Sequence, residues 1–255
     1  MRSHRKPYSR QAQRLRLTAG ERPVAHCQSM LPGWDQERIE SARVCVVGAG
    51  GLGSEVVLNL VQGGVGTIDI VDPDVVEASN LNRQLFTASQ VGRNKAEALA
   101  DNVVHFGALG SVVHAYPVYA EAFLDAARDT RIDLYIVGVD NDNARLAVSD
   151  HCFARQLPLV NVGLAVDGSG LEVLVQMPGG PCLRCWTGDR EPRSSPCGGV
   201  PVTRPLASMA AALASHYGIE LLLGVRPSQL AQVALFPSTM STLRRQIPAP
   251  CRRCR

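Results

Sequence analysis

The chain reads as an α/β fold: a mostly parallel sheet with helices on both faces and an antiparallel extension toward the C-terminus. Three observations predict it. Short β-branched runs alternate with helical segments between Arg43 and Val162. A glycine-rich turn joins the first of those runs to a helix. Beyond Val162 the alternation gives way to a lone strand, a Cys/Pro/Gly stretch, a long apolar helix and a hairpin pattern.

Each element is dictated by its residues. Residues 1–25 carry seven basic groups against Glu21, a net +6, and are expected to form a basic flexible tail. Residues 26–42 predict a turn at Pro32-Gly33 and then a short helix. Arg43–Val47 is a short β-branched run, hence a buried strand. Gly48-Ala49-Gly50-Gly51-Leu52-Gly53 comes directly after it. The next segment sets Val56, Val57, Leu60 and Val61 on one helical face, until Gly63 and Gly64 stop it. Thr67–Val71 is the second strand, ending at Asp72. A helix over 93–106, a strand over 111–116, a helix over 120–129 and a strand over 132–139 come next. A helix from about Asn143 to Gln156 and a strand over Pro158–Val162 complete the alternation. LEVLVQ (171–176) reads as an antiparallel strand, 205–223 as a long helix, and 232–236 with 241–247 as a terminal hairpin.

Composition removes several classes. Hydrophobic residues are 45% and charged residues 19%, which describes a globular chain rather than a disordered one. No apolar run reaches the ~18 residues of a membrane span. The basic N-terminus lacks the apolar core of a secretion signal. Eight cysteines without such a signal point to thiol or metal chemistry in the cytoplasm rather than to disulfides. Residues 26–243 are net −8 and the last twelve residues +5. With no recognition motif or stacking platform, neither nucleic acid nor membrane is expected as a partner. Lysine occurs twice, as Lys6 in the tail and Lys95 in the body, a hint that a compact ammonium is wanted at Lys95.

The glycine turn carries the first chemistry. Gly48-x-Gly50-x-x-Gly53 has a strand before it, a helix after it and Asp72 nineteen residues on. One glycine allows the tight turn, one lets backbone approach phosphate and one lets helix pack on strand. Backbone N–H groups at the helix start then face an anion, and Asp72 can bind ribose hydroxyls. Alone, this motif suits a dinucleotide as well as ATP. Three downstream stretches separate the two ligands: Asp72-Pro73-Asp74, then Ser79-Asn80-Leu81-Asn82-Arg83-Gln84, then Gly92-Arg93-Asn94-Lys95. Arg83 and Lys95 can neutralise polyphosphate oxygens and Asn80 can donate to them. Asp140-Asn141 ends a buried strand, where open α/β sheets place ligands. A carboxylate there can hold Mg²⁺ against phosphates, or cap the following helix.

Together the stretch VCVVGAGGLGSEVVLNLVQGGVGTIDIVDPDVVEASNLNRQ, then VGRNK, then VDN with Arg145 five residues after Asp140, resembles the MoeB/ThiF/HesA family, the prokaryotic relatives of ubiquitin-activating enzymes. The resemblance runs from about residue 26 to 254. It implies a Rossmann-like sheet and an adenylyltransferase that uses MgATP to activate the C-terminal Gly-Gly carboxylate of a ubiquitin-fold carrier or modifier protein. Carried over by position, Gly51, Asp72, Ser79, Asn80, Arg83, Lys95, Asp140 and Asn141 would bind ATP, with Arg83, Lys95 and Asp140 in the catalytic step; Gly48, Gly50 and Gly53 of the glycine turn, and Asp74, are expected in the same nucleotide-binding set. It also implies a homodimer. The tail aside, residues 26–255 then form one adenylation domain, with 26–165 as its nucleotide half and 166–255 as its carrier half.

Two paired motifs, Cys182-Leu-Arg-Cys185 and Cys251-Arg-Arg-Cys254, supply four thiolates at a spacing that suits tetrahedral Zn²⁺. Cys197, in SSPCGGVPVTRPL, resembles the crossover-loop cysteine that accepts the carrier in some members; with Arg193 and Arg204 nearby it can act as a thiolate. Cys45 and Cys152 are expected in the core. One departure stands out: Cys27 occupies the place of an arginine that reaches a partner subunit's ATP site. Alternative readings are a non-catalytic member that binds a ubiquitin-fold protein, and an activator of a small-molecule or tRNA carboxylate.

Overall fold

In the computed structural model, residues 7–16, 23–165, 169–188, 202–225, 232–236, 241–245, 251 and 254 are described. In chain order the elements are β1 (Tyr8–Gln11), α1 (His26–Ser29), α2 (Gln36–Ser41), β2 (Arg43–Val47), α3 (Gly51–Gly63), β3 (Thr67–Val71), α4 (Lys95–Val103), β4 (Val112–Tyr116), α5 (Ala120–Ala126), β5 (Leu134–Val137), α6 (Asp142–Arg155), β6 (Leu159–Leu164), β7 (Leu171–Gln176), α7 (Leu183–Thr187), α8 (Arg204–Leu222), β8 (Gln232–Phe236) and β9 (Ser241–Arg245). Two 3-10 turns, Ala78–Asn80 and Ala88–Gln90, lie between β3 and α4.

The nine strands make one sheet in the order β1-β4-β3-β2-β5-β6-β7-β8-β9. Strands β4, β3, β2, β5 and β6 are parallel. Strands β7, β8 and β9 continue it antiparallel, as the change of pattern after Val162 predicts. Parallel strands must be covered on both faces, which is why β2, β3 and β5 are almost wholly buried and, apart from Arg43, Thr67 and Asp69, apolar. Alternate side chains feed two cores. Val44, Val46, Ile68 and Ile70 pack under α3, α4 and α8. Cys45, Val47, Tyr135 and Val137 pack under α5 and α6, and Cys45 and Cys152 are fully buried as expected.

The N-terminal segment departs from the expectation of a flexible tail over 1–25. Tyr8–Gln11 pairs antiparallel with β4 and becomes an edge strand. The anchor is Asp101 on α4, which accepts from the Tyr8 hydroxyl and Arg10 Nε at 2.5 Å each and from Arg93 Nη2 at 2.7 Å. Burial alone raises the Asp101 carboxyl, but these donors outweigh it and hold it below the usual range. Residues 1–6 and 17–22 lie outside the described residues.

Candidate nucleotide site and metal centre

At the C-terminal edge of the parallel strands, the glycine turn leaves β2 and opens α3. Gly48 has φ +100°, a conformation that side chains rarely take, and a Cβ on it would meet Val139 Cγ1 at 2.9 Å. A Cβ on Gly53 would lie 1.8 Å from the Gly48 carbonyl oxygen, so the third glycine is fixed by the closeness of helix and turn. Gly50 occupies the N-cap and has no side chain to cap with. The first N–H groups of α3 therefore remain available to an anion.

Asp72 braces this turn from β3. Its Oδ2 accepts from the Ala49 N–H at 2.6 Å and its Oδ1 from the Asp74 N–H at 2.9 Å. Burial pushes its carboxyl up, while the Ala49 N–H and the Lys95 charge pull it back in part. Asn94 caps α4 by accepting from the Glu97 N–H and donates its amide to the Asp72 and Asp74 carbonyls. Lys95 comes next as the first residue of α4, with Nζ 2.9 Å from Asp74 Oδ2. One turn of helix thus fixes the ammonium against the acid.

The SNLNRQ stretch folds into a 3-10 turn. Asn80 is buried, and its Oδ1 accepts from the Glu77 N–H at 3.1 Å. Ser79 is exposed and donates to Glu77 at 3.2 Å. Arg83 bends back to the Ser79 carbonyl at 2.7 Å. Its Cγ and carbonyl lie 3.7 and 3.6 Å from where Gly51 would carry a Cβ, so Arg83 stands beside the head of α3.

From β5, Gly138 and Val139 pass under Gly48 and deliver Asp140. The cap of α6 is Asn141 rather than Asp140: Asn141 Oδ1 accepts from Asn143 N at 2.9 Å and Ala144 N at 3.3 Å. Asp140 is left exposed at the strand end. Arg145 reaches the Asn161 side chain at 2.6 Å and the Val162 carbonyl at 2.9 Å, fixing α6 to β6. Gly48, Gly50, Gly51, Gly53, Asp72, Asp74, Arg83 and Asp140 are therefore gathered around the turn, with Lys95 joined through Asp74. Cys27 lies exposed on α1. Cys197 and Arg193 lie outside the described residues.

The two CxxC motifs meet although they are 66 residues apart at their nearest. Sγ–Sγ separations are 3.9 Å (182–185), 3.8 Å (182–251), 3.6 Å (185–254) and 3.6 Å (251–254). All four sulfurs lie within 4.8 Å of one another. Tetrahedral zinc with Zn–S of about 2.3 Å requires edges of about 3.8 Å, so the donors fit that ion. Burial pushes the Cys182 thiol up to about 12. The knuckle is held by a buried contact that sequence reasoning missed. Ser149 donates to Gln176 Oε1 at 2.6 Å, and both oxygens receive the Leu183 N–H. The available signal was a glutamine closing the LEVLVQ strand directly after Val173-Leu174-Val175.

A family model described as the ThiF family matches residues 8–255. The chain is 33% identical over 248 residues to the sulfur carrier protein adenylyltransferase of Thermus thermophilus, covering 91% of this chain and 89% of that one. It is 31% identical over 214 residues to the adenylyltransferase and sulfurtransferase MOCS3 of Aedes aegypti, covering 82% of this chain and 48% of that one. It therefore spans about half the length of that two-activity relative. Among solved structures, E. coli MccB with MccA-N7isoASN matches with a TM-score of 0.72 at 22% identity, over 86% of this chain and 69% of that one; the likeness is one of fold.

Proposed function

Because the chain belongs to the ThiF family, we propose that it transfers AMP from ATP to the C-terminal glycine carboxylate of a ubiquitin-fold sulfur-carrier or modifier protein. The observation that carries this reading is the set of groups at one sheet edge: an uncapped helix head, a braced acid, two cations and an exposed acid. In this reading residues 26–165 bind nucleotide and 166–255 face the carrier.

The carboxylate oxygen attacks the α-phosphorus, the bond from that phosphorus to the β-bridging oxygen breaks, and pyrophosphate leaves. No protein nucleophile is needed, so catalysis consists of positioning and charge stabilisation. Gly48, Gly50, Gly51 and Gly53 let backbone donors approach the phosphates. Asp72, while bracing the turn, offers its remaining lone pairs to ribose hydroxyls. Ser79 and Asn80 contribute polar contacts, and the Asn141 amide NH₂ is its free group once Oδ1 caps α6. Arg83 and Lys95 offset charge on the leaving pyrophosphate, with Asp74 keeping Lys95 in place. Asp140, exposed at the strand end, would hold Mg²⁺, which would supply further neutralisation of phosphate charge. Cys182, Cys185, Cys251 and Cys254 would hold a structural Zn²⁺. Cys197 is the acceptor for a second step in which its thiolate displaces AMP from the acyl adenylate to form a thioester. A homodimer and a cytoplasmic location complete the reading; cysteine usage supports the latter, and no helix among the described residues is long and apolar enough to cross a membrane.

ATP–pyrophosphate exchange with purified protein, alone and with ubiquitin-fold proteins ending in Gly-Gly, tests it. Carrier-dependent exchange is expected. ATP binding without exchange, with any such carrier, contradicts it.

A further inference from the structure

Two helices, rather than one, point their N-termini at the glycine turn. A Cβ on Gly51 would lie 3.9 Å from Ala207 and one on Gly63 3.6 Å from Ile219, while Asn59 Nδ2 donates to Ser215 Oγ at 3.2 Å. Each pair is 156 residues apart, so α8 runs parallel to α3 with a constant offset. Its first residue, Arg204, therefore stands level with Gly48, and Thr203 makes no side-chain cap there.

The side chains between the two heads form an unusual set. Glu55, in the second turn of α3, is 8% exposed. Its Oε1 lies 2.9 Å from Arg204 Nη2 but makes no hydrogen bond of good geometry. The Arg204 side chain is 49% exposed, although one guanidinium nitrogen lies against the acid. Gln84, 6% exposed, has its amide nitrogen 3.9 Å from where Gly50 would carry a Cβ, and its Oε1 has no partner. A held cation at the head of α8 and a buried, unpartnered acceptor at the head of α3 match the end of a peptide. The cation suits a carboxylate, and the acceptor suits the last peptide N–H.

Position separates Arg204 from Lys95, Asp74 and Asp72, while Gln84 follows Arg83 directly and stands over Gly50, where the two sets of groups meet. Lys95, Asp74 and Asp72 lie at the end of β3 and the head of α4. Helix α8 instead packs over β5, β6 and β7, on the other flank of α3. A second anion approaching a bound triphosphate needs its own counter-charge, and Arg204 stands on the open flank. We propose that Arg204, oriented by Glu55, receives the C-terminal carboxylate of the second substrate, with Gln84 accepting from its last peptide N–H. The inference rests on the adenylation reading and names the substrate contact within it. Glu55 is a positioning residue.

The test uses a fluorescent ten-residue peptide ending in Gly-Gly with a free carboxylate, and the same peptide as its C-terminal amide, each titrated into the full chain. The wild type is expected to bind the carboxylate form about tenfold more tightly, the scale of one charge-assisted contact. Arg204→Ala erases that preference, Arg204→Lys keeps part of it, and Glu55→Gln reduces it. ATP affinity stays within about twofold in all three, and melting temperature reports any variant that fails to fold. A wild type without the preference, an Arg204→Ala that keeps it, or an Arg204→Ala that loses ATP affinity instead overturns the inference. Peptide preference without carrier-dependent exchange overturns the adenylation reading and leaves the carboxylate contact standing.

Discussion

Asp72→Asn separates bracing from mere polarity, because it keeps the shape and reverses one contact. In the native chain both carboxylate oxygens accept, one from the Ala49 N–H and one from the Asp74 N–H. An asparagine has one acceptor oxygen, so its NH₂ must confront one of those two donors. The Asp72 side chain is buried, and water cannot repair the mismatch. Losing a charge-assisted bond to a buried N–H costs about 1.5–3 kcal/mol. Relief of the burial that raises the Asp72 carboxyl offsets part of this, and a net cost of about 2 kcal/mol is expected. For a chain of this size that lowers the melting temperature by about 4–8 °C. Ala49 sits inside the glycine turn, so the helix head also loses its aim. Misplacement on the order of 1 Å at such a site reduces rate about 100-fold. Scanning fluorimetry with and without MgATP, beside pyrophosphate exchange, measures both. An unchanged melting temperature with unchanged exchange refutes the bracing role.

Lys95→Ala is expected to abolish exchange while shifting stability by less than about 1 kcal/mol, because its partner Asp74 is largely exposed; chemical denaturation and exchange on the same sample decide it. Cys182→Ser should lower bound zinc from about one ion per chain toward zero and reduce the melting temperature, read by metal analysis and calorimetry. Asp101→Asn should release β1: amides of residues 8–11 exchange with solvent about tenfold faster while those of β2 are unchanged. Because the native Asp101 carboxyl is held low, its contribution is present above the ordinary carboxylate range and is lost as pH falls through its depressed value. Wild-type β1 should therefore loosen in acid, as hydrogen exchange at graded pH would show.

The legible part of this molecule was the part written by local pattern. The strand, glycine turn and helix over residues 43–63 announce themselves through β-branched runs and glycines whose absence of Cβ is required, at Gly53 by a 1.8 Å approach. LEVLVQ announced β7, and QVALF with STLRRQI announced β8 and β9, of which β9 is described over Ser241–Arg245. The four zinc-suited cysteines were legible from spacing, and the fold brings them together. The illegible parts depend on partners far along the chain. Tyr8-Ser9-Arg10-Gln11 is polar and basic, and becomes a strand because β4 offers an edge and Asp101 an anchor. Asp140 and Asn141 are equal candidates for a helix cap by type; the backbone gave that task to Asn141 and left Asp140 exposed. The Glu55–Arg204 pair spans α3 and α8. No periodicity marks it, because it arises from the parallel docking of two helices.

The measurement closest to the central claim is the intact mass of a Gly-Gly-ended ubiquitin-fold carrier after incubation with the protein, MgATP and a pyrophosphatase. The account predicts a carrier species heavier by one adenylyl group at its C-terminal glycine, absent with Lys95→Ala. A carrier whose mass is unchanged by an enzyme that binds both ATP and carrier would contradict it.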